Sequence, residues 1–123
     1  MKNVLIVEDS KAIRSLIRIA LEEAGEFLTE EAGNGFEALK MLPTRKFDLI
    51  ITDINMPDIN GLELINYVRN NPNYKDIPLF IVSTEGSEKD LEKGLALGAN
   101  EYLVKPFDPA RLQQLIQKYL DRD

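Results

Sequence analysis

Residues 2–25 read KNVLIVEDSKAIRSLIRIALEEAG. Lys2 to Val7 carries Val4-Leu5-Ile6-Val7 without a polar break, the pattern of a strand covered on both faces, as parallel strands are. From about Ser10, Ile13, Leu16, Ile17, Ala20, Leu21 and Ala24 recur at helical spacing, and Gly25 follows as a stop. Between strand and helix stand two acids, Glu8 and Asp9. A buried strand followed by an amphipathic helix is the repeating unit of an α/β fold.

The rest of the chain repeats that unit. A weaker strand near Phe27 to Glu31 leads through Gly33-Asn34-Gly35 into a helix with Phe36, Ala38, Leu39 and Leu42, ended by Pro43. Phe47 to Thr52 reads as a third strand. Asn60-Gly61 then opens a helix with Leu62, Ile65 and Val68 inward, stopped at Asn71-Pro72. Leu79 to Ser83 is the fourth strand, and Ser87 with Asp90 resembles a capping box for a helix through Leu91 and Leu95 to Gly98. Tyr102 to Val104 is a short fifth strand. Asp108-Pro109 supplies the cap and first position of a last helix bearing Leu112, Leu115, Ile116, Tyr119 and Leu120. Five such units predict a three-layer α/β (βα)5 fold, a five-stranded parallel sheet with helices on both faces. They occupy residues 1–123 as one domain and leave no room for a second.

Composition narrows the chemistry. The 123 residues hold 15 Lys or Arg against 21 Asp or Glu, a formal charge of −6, with neither histidine nor cysteine. That excludes imidazole bases, Ser-His-Asp triads, thiolate zinc sites and disulfides. No apolar run approaches the roughly 18–20 residues of a membrane span, and the N-terminus lacks the order of a signal peptide, so a cytoplasmic protein without membrane insertion is expected. The acidic balance, with no basic cluster, argues against nucleic acid as a direct partner.

In open α/β sheets, sites form beyond the carboxyl ends of the strands. Those ends carry Glu8 and Asp9 after the first strand, Asp53 after the third, Ser83 and Thr84 after the fourth, and Lys105 after the fifth. Singly, each has an ordinary role as cap, turn residue or solvated charge. Jointly they bring three carboxylates together, at a repulsion of order 1 kcal/mol per close pair, and a cation is the natural compensation. Oxygen ligands alone suit Mg2+, or Mn2+ in its place. Lys105 and a hydroxyl suit the oxygens of a phosphoryl group, which a carboxylate can accept as an aspartyl phosphate. The arrangement points to phosphoryl transfer to Asp53.

Glu8-Asp9-Ser10, the run Asp53-Ile54-Asn55-Met56-Pro57-Asp58-Ile59-Asn60-Gly61, Ser83 and Lys105-Pro106-Phe107 resemble the acidic pair, D-x-x-M-P-x-x-x-G, Ser/Thr and K-P-F signatures of response-regulator receiver domains, of the stand-alone CheY-like type. The resemblance runs end to end. It implies a flavodoxin-like sheet of strand order 2-1-3-4-5 in a receiver domain without an output domain. It also implies a two-component signalling switch that catalyses only its own phosphorylation and autodephosphorylation. Asp53 would be the phosphoacceptor, served by a sensor histidine kinase or a small donor such as acetyl phosphate. Asp9 and Asp53 would hold Mg2+ with the backbone carbonyl of Asn55, and Glu8 would act through bound water. Lys105, positioned by a cis Lys105-Pro106 bond, would pair with the phosphoryl oxygens, and Ser83 and Tyr102 would form the switch. Asn55, Thr84 and Glu85 would tune dephosphorylation, Asn55 and Glu85 matching the chemotaxis-type pair and the bulk of Thr84 opposing them.

The first helix carries more apolar side chain than its sheet-facing stripe needs. Ile13 and Leu16 are peripheral core or, as the resemblance implies, a docking patch for the kinase. The output partner would be a downstream protein or a histidine phosphotransfer protein, and the chain a monomer or weak phosphorylation-dependent dimer. Two other classes compete. A Mg2+-dependent phosphatase or hydrolase with Asp53 as nucleophile is expected to carry a second Asp where Asn55 stands. A flavodoxin-like cofactor binder lacks its glycine-rich phosphate loop, since Glu8-Asp9 follows the first strand.

Overall fold

Residues 1–56, 58–84 and 88–120 are described by the structure, a computed structural model. Five strands form one parallel sheet: β1 (Lys2–Val7), β2 (Phe27–Ala32), β3 (Leu49–Asp53), β4 (Leu79–Thr84) and β5 (Glu101–Lys105). Their order is β2-β1-β3-β4-β5, the flavodoxin-like order the resemblance implies. Helices α1 (Lys11–Ala24) and α5 (Pro109–Leu120) cover one face, and α2 (Gly35–Met41), α3 (Gly61–Arg69) and α4 (Glu88–Leu97) the other.

Alternation along the strands sorts the core into two layers. Leu5, Val7, Ile50, Leu79 and Ile81 pack toward α2, α3 and α4. Val4, Ile6, Leu49, Ile51, Phe80, Val82 and Leu103 pack toward α1 and α5. Ile17 and Leu21 of α1 and Leu112, Leu115 and Ile116 of α5 close the second layer, each large side chain contributing about 1.5–3 kcal/mol by leaving water. α1 starts where Ser10 Oγ accepts a hydrogen bond from Ile13 N, as its residue type predicts.

The start of α3 fixes the loop beyond β3. Asn60 Oδ1 accepts from Glu63 N at 2.9 Å and Glu63 Oε1 accepts from Asn60 N at 3.2 Å, a capping box; the separate one expected at Ser87 for α4 falls on a residue outside the described ones. Gly61 N donates to Ile54 O at 2.9 Å, and a Cβ on Gly61 would collide with the carbonyl oxygen of Asp53. Only glycine lets α3 approach the end of β3 so closely.

Boundaries differ in places. β3 begins at Leu49, not Phe47, because Phe47 plugs the core ahead of the strand, 3% exposed. α2 ends at Met41, and Leu42–Thr44 continue as a 3-10 turn that accommodates Pro43. Phe36, one of the apolar residues of α2, is 52% exposed. Gly35 takes the inner position, pressed so closely on Ile59 that a Cβ would meet its carbonyl oxygen at 2.5 Å.

Candidate functional site

Three rows of core residues end in charged ones. Ile6, Ile51 and Leu103 belong to the layer under α1 and α5, and two residues farther along the chain come Glu8, just beyond β1, and Asp53 and Lys105, the last residues of β3 and β5. With a side-chain period of two, each charged residue continues the row of its apolar predecessor. The register carries the rows side by side, with Val7 beside Thr52, Asp53 beside Val82 and Thr84 beside Lys105. The same geometry that builds the core therefore delivers two carboxylates and an ammonium to one point at its edge.

Lys105 Nζ lies 2.5 Å from Glu8 Oε1 and 3.2 Å from Asp53 Oδ2. Glu8 is 1% exposed and Asp53 5%, whereas Asp9 faces solvent. One carboxylate oxygen from each of Glu8, Asp9 and Asp53 lies within 4.8 Å of the others. The Asn55 N–H donates to Asp53 Oδ1 at 3.3 Å. Lys105-Pro106 is cis, as the resemblance implies.

A single ammonium does not balance three carboxylates. Burial, reinforced by the neighbouring Asp9 carboxyl and the charge of Asp53, pushes Glu8 up to about 7, against the opposing pull of Lys105 and of the Ser10 N–H. Burial works against the charge of Lys105 as well, but its pairing with Glu8 and Asp53 outweighs burial and raises its pKa. The donor set is all hard oxygen and short of positive charge, which fits a divalent cation such as Mg2+.

The raised Glu8 carries a prediction for the metal-free protein. The folded state holds a proton on Glu8 that the unfolded chain, at its ordinary value near 4.5, releases. Folding then binds the extra proton, so Glu8's contribution makes stability fall as pH rises from about 5 to 7, by about 1–3 kcal/mol. Urea midpoints in EDTA at pH 5 and pH 8 should show the loss, and Mg2+ should reverse it at pH 8. A midpoint that rises over this window and ignores Mg2+ would contradict the account.

Ser83 arrives from the other row, two residues after Ile81, and is fully buried. Its Oγ has no hydrogen-bond partner among the described residues. Thr84 ends β4 and is exposed, Asn55 is exposed two residues past Asp53, and Glu85 lies outside the described residues. Tyr102, in the row of Val104, is 47% exposed and lines a groove with Leu91 and Leu95 of α4. Ile13 packs against the α1–α5 core while Leu16 is 49% exposed, so the two divide between the peripheral-core and surface readings.

The sequence reading misses Arg14. Its Nη1 donates to the carbonyl oxygen of Glu8 at 2.5 Å, and its Nε pairs with Glu31 Oε1 at 3.1 Å. An Arg one turn into an amphipathic helix looks like ordinary solvated charge; only the pairing of β2 with β1 shows where Glu31 lies.

A family model for the response regulator receiver domain matches residues 4–117. The chain is 40% identical over 119 residues to the chemotaxis protein CheY homolog of Campylobacter jejuni, covering 95% of this chain and 91% of that protein. It is 36% identical over 118 residues to chemotaxis protein CheY1 of Helicobacter pylori, covering 95% of each. Among solved structures, the chemotaxis response regulator CheY4 of Vibrio cholerae superposes with a TM-score of 0.87 at 40% identity, over 98% of this chain and 99% of that one. Among the described residues, no helix is long and apolar enough to cross a membrane.

Proposed function

The chain belongs to the response regulator receiver domain family, and on that premise we propose that Asp53 accepts a phosphoryl group from the phosphohistidine of a sensor histidine kinase in a Mg2+-dependent step. The observation that best supports this is the gathering of one carboxylate oxygen from each of buried Glu8, buried Asp53 and exposed Asp9 within 4.8 Å of one another, with the Lys105 ammonium paired to Glu8 and Asp53. In the transfer, a carboxylate oxygen of Asp53 forms a bond to phosphorus as the bond from phosphorus to the imidazole nitrogen breaks. Glu8, Asp9 and Asp53, with Asn55, would hold Mg2+, which neutralises phosphoryl charge and aligns the group when bound. Lys105 Nζ donates to a phosphoryl oxygen, and the unpartnered Ser83 hydroxyl supplies a second donor.

Ser83 then couples the site to the α4–β5 surface, where half-exposed Tyr102 turns inward as Ser83 is drawn to the phosphoryl group. That surface serves a downstream protein or a histidine phosphotransfer protein. The kinase docks on α1 near Ile13 and the exposed Leu16, and Asn55, Thr84 and Glu85 tune the return to the resting state. An Asp-nucleophile hydrolase would need a general acid, and Asn55, two residues beyond Asp53, supplies none.

The test is incubation with acetyl phosphate and Mg2+, followed by intact mass and peptide mapping. One phosphoryl group per chain should appear, on the peptide holding Asp53, and EDTA should prevent it. An adduct on another peptide, or one indifferent to EDTA, would overturn the assignment.

A further inference from the structure

Glu8 belongs to a turn whose peptide is held from both sides. Its N–H donates to Ala32 O of β2 at 2.9 Å, and its carbonyl oxygen accepts from Arg14 Nη1 at 2.5 Å. Arg14 is itself anchored on β2, through Nε and Glu31 Oε1 at 3.1 Å. The register explains the anchor: Glu31 lies beside Ile6, whose side chain packs under α1, so Glu31 points to the same helix. Arg18, one turn after Arg14, meets the other oxygen of Glu31 at 3.6 Å and Glu22 at 3.7 Å. Arg14 is the more enclosed of the two arginines, with 14% of its side chain exposed against 39%.

We propose that Arg14 is the positioning residue of the acidic turn, gripping the Glu8 carbonyl against β2 so that the Glu8 and Asp9 carboxylates stand where a divalent cation is bound, with Glu31 as its anchor. The inference rests on the reading of the site given above. It requires arginine in particular, because Nη1 and Nε engage two acceptors at once through a rigid fork that one ammonium does not supply. Charge alone would act in the opposite sense, since a guanidinium beside a cation site repels the cation. The geometric grip is therefore the one way Arg14 favours metal, and a substitution at Arg14 that keeps the charge isolates it.

The experiment is an EPR titration of the metal-free full chain with Mn2+ alone, beside urea denaturation of each variant. Arg14→Lys keeps the charge and loses the two-point grip, and should bind Mn2+ roughly 10-fold more weakly, as loss of an outer-shell partner does. Glu31→Ala, an exposed change away from the carboxylates, should weaken binding in the same direction. The double variant should be no weaker than Arg14→Lys, because both act through one grip. Wild-type affinity in both single variants, with only the urea midpoint lowered, overturns the inference and leaves Arg14 a brace of the fold. If wild type binds no Mn2+, or binding survives Asp9→Ala, the reading of the site falls and the inference with it.

Discussion

Asp53→Ala is expected to take up no phosphoryl group from acetyl phosphate at any Mg2+ concentration, while folding at least as well as wild type when metal is absent. The first half follows from removing the acceptor oxygen. The second follows from electrostatics: Asp53 sits almost without solvent beside Glu8, itself 1% exposed. Relieving one like-charge contact is worth about 1 kcal/mol in a fairly polar site. The ion pair lost, Lys105 to Asp53 at 3.2 Å, is the longer of two, and Lys105 keeps Glu8 at 2.5 Å. Intact mass after acetyl phosphate and urea midpoints in EDTA at pH 8 check both halves, and carboxyl NMR should show Glu8 titrating closer to its ordinary range. An unchanged phosphoryl adduct in the variant would remove Asp53 from the mechanism.

Lys105→Met has the opposite balance of effects. The side chain keeps its reach and loses its charge, leaving Glu8 and Asp53 without the cation they share. Breaking a buried ion pair by removing one partner costs about 3–5 kcal/mol, and the part of that loss due to ionised Glu8, already raised to about 7, disappears as Glu8 protonates. The variant should therefore be strongly destabilised at pH 8, recover toward pH 5, and regain stability at pH 8 on adding Mg2+. Acetyl phosphate labelling should slow by roughly 100-fold, the usual cost of removing one preorganised donor to developing charge. Urea midpoints at the two pH values and the labelling rate by mass spectrometry test the two claims separately. Labelling at the wild-type rate would show that Lys105 serves only to neutralise its neighbours.

Much of this was legible in the residues. The unbroken run Val4 to Val7 and the helical spacing from Ile13 to Ala24 depend on local burial, and β1 and α1 form where those patterns lie. The convergence of Glu8, Asp53 and Lys105 was legible because strand ends are read from one-dimensional patterns and a parallel sheet brings those ends together. Less visible were features set by tertiary approach. Phe36, an apolar residue of α2, is exposed because the glycine before it takes the inner place against Ile59. The capping box at Asn60 was legible in the spacing of Asn60 and Glu63 but was not read there. Arg14 required the register of β2 on β1, which sets Glu31 beside Ile6 and so toward α1.

That the buried Ser83 hydroxyl has no hydrogen-bond partner among the described residues bears on how complete the proposed switching can be. A buried polar group without a partner costs about 1–3 kcal/mol. Supplying that partner in one conformation alone biases a two-state equilibrium by about 5- to 150-fold. Moving a population from 1:99 to 99:1 takes a bias of about 10,000-fold. In the switch proposed above, Ser83 by itself would thus leave a sizeable fraction of phosphorylated molecules in the resting conformation, and a full response would need at least one more contact of comparable size, formed only in the active state or contributed by a bound target.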